Sequence, residues 1–244
     1  MSQTLQRKWF QWFGIPIILV IITLAIIIYV VNFPGGGIAA GMLNYNNIIR
    51  FYREHILMVV TALGLSIAVG IPVGLMLTRP SLRLLGKVVE GVVNVGQTIP
   101  SLAILAIMFV YLGFGFQTAV FALWLYSILP ILRNTYAGIT SIEPEVLEAA
   151  KGMGMSSVSV LTRIELPLAL PVIMGGIRTS VVICIGTATL ATFIGAGGLG
   201  DPIALGISMR RDILVFTGAS LSATLAIFMD HILGQVEEAL LSSD

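Results

Sequence analysis

Long apolar runs separated by short polar punctuation dominate this chain. Hydrophobic residues continue with few breaks over 15–31, 56–78, 88–112, 118–132, 170–194 and 213–233. Runs near 20 residues match the hydrocarbon thickness that a membrane helix must cross. Inside lipid a segment must satisfy its own backbone hydrogen bonds, so helix is expected rather than open sheet. The punctuation agrees: Pro34-Gly35-Gly36-Gly37, Arg79-Pro80, Gly113-Phe114-Gly115, Arg133-Asn134, the glycine-rich 195–200 and Arg210-Arg211-Asp212 each fall at a run's edge. The pattern predicts an all-α polytopic membrane protein of about six transmembrane helices. It divides into an N-terminal helix with a polar outer segment (1–55, carrying Arg50, Arg53, Glu54 and His55) and a core (56–244) whose longest polar loop is 141–167.

Composition strengthens this reading. The chain is 57% hydrophobic and 10% charged, against about 25% charged for a soluble domain, and its mean hydropathy is +1.01. A net charge of +1 points to no nucleic-acid partner. Cys184, the one cysteine, sits within an apolar run, which leaves no intrachain disulfide. His55 and His231 are isolated, without metal-ligand spacing, and no serine, cysteine or carboxylate constellation suggests catalysis. Arg7-Lys8 precede the first run, Trp9 and Trp12 stand at a plausible interface depth, and no small-x-small site follows it, so a retained span is expected.

Lysine and arginine placement sets the expected orientation. With the N-terminus inside, Arg7, Lys8, Arg79, Arg83, Lys87, Arg133, Lys151 and Arg163 fall inside, Arg50, Arg53, Arg210 and Arg211 fall outside, and Arg178 lies within the fifth run. The bias favours cytoplasmic N- and C-termini and a cytoplasmic loop at 141–167, in a cell (inner or plasma) membrane.

That loop carries the most specific signal in the chain. Glu143-Pro144 opens a short helix, with Glu145 and Glu148 near its positive end. Glu148-Ala149-Ala150 continue it, and Gly152 and Gly154 are expected to end it. A second short helix over 157–165 is expected to stop at Leu166-Pro167. The spacing of Glu148-Ala149-Ala150, Gly154, Ile164, Leu166 and Pro167 resembles the signature loop of ABC-importer permeases (E-A-A, three residues, G, nine residues, I-x-L-P), and every fixed position matches. Gln97-Thr98-Ile99-Pro100-Ser101-Leu102, Arg133-Asn134-Thr135-Tyr136, Gly152-Met153-Gly154-Met155 and Gly195-Ala196-Gly197-Gly198-Leu199-Gly200 resemble the osmoprotectant branch, over about 54–230.

The resemblance implies a type I ABC-importer permease fold and import of glycine betaine, choline, carnitine or a related compound. It further implies an ATP-binding-cassette ATPase dimer on the loop, a second permease chain (the same or different), an extracytoplasmic solute-binding protein, and ATPase-coupling roles for Glu145, Glu148, Ala149, Ala150, Gly152, Gly154, Ile164, Leu166 and Pro167. No P-loop is present: Gly86-Lys87 is followed by Val88, and Ser81 stands where the motif's first glycine belongs. No cofactor is therefore expected in this chain, with ATP bound by the partner subunit. Methionine-type importers share a similar glycine-rich loop, which keeps an amino-acid importer as an alternative. A secondary transporter without ATPase is the other, with only Glu90, Arg178 and Asp230 available for a charge relay.

Polar residues inside a span are costly and need partners or water. Asn94, Gln97, Thr98 and Ser101 recur at spacings of three and four, which predicts one helical face beside a kink at Pro100. Such a face, with Thr187 and Thr189, suits a translocation path or interhelical hydrogen bonding. Arg178 invites pairing with Asp230 or Glu90. Gly195, Gly197, Gly198 and Gly200 suit a tight turn at an outer gate. Tyr111, Trp124 and Tyr126 are available for a cation–π cage, but span aromatics usually pack against lipid, and the resemblance places the high-affinity cage in the separate binding protein.

Overall fold

The computed structural model describes residues 10–241. A π-helical turn at Phe10–Gly14 leads into α1 (Ile15–Asn32), followed by α2 (Gly37–Met42), α3 (Tyr45–Leu77), α4 (Arg83–Gly96), α5 (Ser101–Leu112) and α6 (Phe116–Thr140). Then come α7 (Pro144–Gly152), α8 (Ser157–Val160), α9 (Leu166–Ala188), α10 (Gly200–Met209) and α11 (Asp212–Leu241), with a 3-10 turn at Thr189–Ile194. No strand occurs among the described residues. Among the described residues five helices are long and apolar enough to cross a membrane, and α4 with α5 makes a sixth if that bent pair counts as one span.

The bundle is built around α6, which packs chiefly against α3 and α9. Small residues permit the close approach: Ala62 on α3, Ala119 and Ala122 on α6, and Ala188 on α9 are buried in one cluster with Met58, Leu105, Leu123, Val181, Cys184 and Ile185. A second cluster joins Val30, Phe51, Leu199, Leu214 and Leu221, so α1 and α11 lean on the N-terminal part of α3. Only Val30 of α1 is buried. A helix apolar all round and so exposed belongs in lipid.

Four expectations change. The helix expected from residue 56 begins at Tyr45, and the division at residue 55 falls inside α3 rather than between elements. Ile48, Phe51, His55, Met58 and Ala62 already occupy its buried face, so a 3.6-residue period persists where charged residues hide the hydropathy signal. At 33 residues α3 spans roughly 50 Å, longer than an apolar core of about 30 Å. The fourth span runs on to Thr140, which places Arg133 seven residues before the helix end and removes it from the loop cations that weigh on orientation. The last helix continues to Leu241, so Glu237 and Glu238 are helical, not a tail.

The third span is broken outright. Helices α4 and α5 meet at 100° across Gln97–Pro100. Pro100 has an extended ψ of 129° as the N-cap of α5, and proline disfavours helix in the residue before it. Asn94, Gln97, Thr98 and Ser101 therefore do not share one helical face. Asn94 is exposed on α4, Gln97 caps that helix, Thr98 lies in the turn with its Oγ1 donating to the Val95 carbonyl at 2.7 Å, and Ser101 begins α5.

Candidate functional site

At the end of the bundle marked by Leu77 and Thr140, α7 and α8 form a two-helix elbow. Pro144 occupies the first turn of α7, where its missing N–H leaves no intrahelical bond unmade. The helix closes in a Schellman arrangement: Gly154 N donates to Lys151 O at 2.9 Å and Met155 N to Ala150 O at 3.2 Å. Gly154 has φ +77°, left-handed, so it is the terminating glycine; Gly152 is the last helical residue and has no such constraint. Ala150 is wholly buried, while Glu145, Glu148, Ala149, Gly152, Met153 and Gly154 are exposed. The motif thus puts one alanine inward and a small, acidic surface outward.

The helix that begins at Ser157 does not stop at Leu166-Pro167. It passes through a π turn at Leu161–Glu165, with Leu166 N donating to Leu161 O, and runs into α9. Pro167 explains the turn, because its ring cannot donate and crowds the carbonyl one turn earlier. Single π turns of this kind are frequent at functional sites. Ile164 and Leu166 are half-buried, Leu166 against Ile139, Ala169 and Ile173, and Pro167 is exposed.

The turn buries Glu165, whose carboxylate receives both terminal nitrogens of Arg79, one at 3.3 Å. Arg79 Nε also donates to the Leu75 carbonyl at 3.3 Å, a favourable place for a cation at a helix C-terminus. The pair therefore ties the base of the elbow to the end of α3. Sequence reasoning missed it, since the partners lie 86 positions apart and Glu165 occupies the variable position of I-x-L-P.

Arg178 on α9 donates through Nε and Nη2 to Asp230 at 3.0 and 3.2 Å and through Nη1 to Glu237 at 3.0 Å. Asp230 and Glu237 lie seven residues apart on one face of α11. The second carboxylate was hidden by the expectation of a tail, and Glu90 is not the partner.

At the opposite end, the glycine loop packs on α3. Gly195, Gly197 and Gly198 have left-handed φ, and Gly200 opens α10. Gly198 N donates to the Glu54 carboxylate at 3.1 Å. His55 is fully buried beside it, with Nε2 3.1 Å from the Ile185 carbonyl. A carbonyl only accepts, so this nitrogen carries the proton. Neither residue was nominated from sequence; the helical period through 48, 51, 55 and 58 was the available signal. Thr189 Oγ1 turns back to the Gly186 carbonyl at 2.7 Å, and Thr187 is half-buried near the end of α9.

Gln97 joins Tyr126, Pro130, Arg133, Asn134, Thr179 and Ile183 around a cavity of about 300 Å³. Of the residues nominated for a path, only Gln97 reaches it.

Comparison with known proteins places this architecture. The family model described as binding-protein-dependent transport system inner membrane component matches residues 70–241. The chain belongs to that family and is a multi-pass permease subunit of the ABC-importer type. It is 47% identical over 192 residues to the glycine betaine/carnitine/choline transport system permease protein OpuCD of Bacillus subtilis (strain 168), covering 78% of this chain and 82% of that one. It is 43% identical over 198 residues to the carnitine transport permease protein OpuCD of Listeria monocytogenes serotype 1/2a (strain 10403S), covering 81% and 88%. Among solved structures it resembles the MetNI methionine ABC transporter in inward facing conformations, with a TM-score of 0.69 over 79% of this chain and 95% of that one. At 22% identity that likeness establishes the fold alone.

Proposed function

We propose that this chain conducts a compatible solute of the quaternary-amine class, such as glycine betaine, choline or carnitine, as the membrane subunit of an ATP-driven importer. The observation that carries the reading is the elbow: the E-A-A…G…I-x-L-P segment folds as a projecting helix with an outward face and a clamped base. Identities above 40% to permeases named for these solutes supply the substrate class.

In this reading the elbow lies in the cytoplasm with both termini, and the glycine loop lies outside. An ATPase dimer grips the exposed face of α7, with Glu148 at the docking surface, Ala149 allowing close approach and Gly154 fixing the elbow angle. The chain pairs with a second permease chain and receives solute from a separate binding protein. It holds no nucleotide itself. ATP-driven closure of the ATPase pair draws the two elbows together, and the continuous helix from Ser157 through α9 carries the displacement into the bundle. The driving force is differential ATP affinity for the two conformations. The Glu54–Gly198 contact is the point at which an outer gate would open.

The complex reconstituted in liposomes with its ATPase and binding protein tests this. Labelled glycine betaine, choline or carnitine is expected to enter only with ATP inside, and methionine is not. Entry of methionine alone reassigns the substrate, and entry without the ATPase overturns the reading.

A further inference from the structure

Arg133 stands about 10 Å inside the end of α6, seven residues before Thr140. It makes no ion pair or hydrogen bond among the described residues, in contrast to Arg79 and Arg178. Arg133 is exposed in the single chain, and a cation two turns inside a membrane-spanning helix is costly unless something with negative charge or water meets it. Arg133 lines the 300 Å³ cavity between α6, α9 and the break after α4, a volume at the low end of small-ligand sites.

The rest of the lining is equally specific. Tyr126, Pro130, Arg133 and Asn134 fall at i, i+4, i+7 and i+8 of one helix, so they share a face. Pro130 has no N–H, so the Tyr126 carbonyl lacks its usual helical donor. Asn134 Nδ2 donates to the Pro130 carbonyl at 2.8 Å, which pins that amide and leaves its oxygen free for a ligand. Gly176 of α9 sets the close approach behind it, since a Cβ there would stand 2.6 Å from the Asn134 Cβ. The cavity therefore combines an exposed guanidinium that has no partner among the described residues with an aromatic side chain about two turns away on the same helix.

We propose that this cavity is a zwitterion-recognition site within the membrane, in which Arg133 holds the carboxylate of the solute and Tyr126 faces its quaternary ammonium. A guanidinium matches a carboxylate with two parallel hydrogen bonds, and an aromatic ring attracts a quaternary ammonium that has no N–H to donate. The site favours betaine-like solutes over choline, which has the cation but no carboxylate. The inference rests on the proposed function for its ligand class.

The test is equilibrium binding of labelled glycine betaine and choline to the purified permease–ATPase complex without the solute-binding protein. Wild type is expected to bind glycine betaine more tightly than choline. Arg133→Gln weakens glycine betaine by about ten-fold, to the choline level, and leaves choline unchanged. Arg133→Lys lies between, and Tyr126→Leu weakens both solutes. Unaltered preference in Arg133→Gln overturns the site, as does parallel loss of both solutes. No saturable binding to wild type, in a preparation whose full complex imports glycine betaine, removes the site and leaves the functional reading standing. Failure of the full complex to import any quaternary amine removes the functional reading itself.

Discussion

Glu165→Lys is expected to cut uptake to below about a tenth of wild type while the protein still reaches the membrane. The substitution sets a second cation against Arg79 at a position that is 6% exposed. Breaking a buried pair costs about 3–5 kcal/mol, but Arg79 is 36% exposed, so about 2–3 kcal/mol is the reasonable range. The loss falls on one joint, where the elbow is bound to the end of α3, so under the proposed coupling the elbow is expected still to meet an ATPase but to move α9 without α3. ATP hydrolysis is expected to persist and to lose its dependence on solute. Glu165→Gln keeps part of the hydrogen bonding and is expected to be milder. The charge swap of Arg79→Glu with Glu165→Arg should recover about half of the lost uptake. Wild-type uptake in Glu165→Lys would show that the ion pair transmits nothing.

The second large effect is on stability. Gly200→Ala would set a Cβ onto the Thr189 carbonyl oxygen, a backbone atom that cannot rotate away. The 3-10 turn at Thr189–Ile194 and the start of α10 would have to separate, opening the buried contacts of Ala191 and Leu199. Overpacking of this kind costs about 1–3 kcal/mol, and more where only backbone can move. A loss of about 3 kcal/mol would lower Tm in detergent by roughly 6–12 °C for a chain of this size. Gly91→Ala, where nothing lies within 4 Å of the added Cβ, is the control and should leave Tm nearly unchanged. Equal Tm in both variants would contradict the close approach of the loop to the helix end.

Most of the fold could be read from hydropathy because membrane helices are specified by length and apolarity, and both survive in a single sequence. The elbow was readable because Pro144, the terminating Gly154 and the I-x-L-P segment stand at fixed spacing. What failed did so for particular physical reasons. Pro100 permits anything from a mild kink to a full break, and tertiary packing, not the local sequence, chooses 100°. Pro167 looked like a helix stop, but a π turn absorbs it and keeps the helix continuous. The start of α3 was masked by Arg50, Arg53 and Glu54, which lower hydropathy while the buried period continues beneath them. Arg178 could be nominated from the cost of a lone charge in a span, but Arg79 and Glu165 sit at element ends, where charges are cheap and raise no flag. The cavity around Arg133 was invisible because that residue fell at the expected helix end, and two more turns of α6 change its surroundings altogether.

The proposed function depends most on one claim: that the segment between α6 and α9 is a cytoplasmic lever worked by a separate ATPase. Met153 is 74% exposed at the tip of the elbow, and Cys184 is buried, so the wild-type protein is a silent background for thiol chemistry. In Met153→Cys, a membrane-impermeant maleimide should label inside-out vesicles and not intact cells or right-side-out vesicles. Assembly with the ATPase should protect the thiol. Labelling from the external face, or labelling that the ATPase leaves unchanged, would contradict the account.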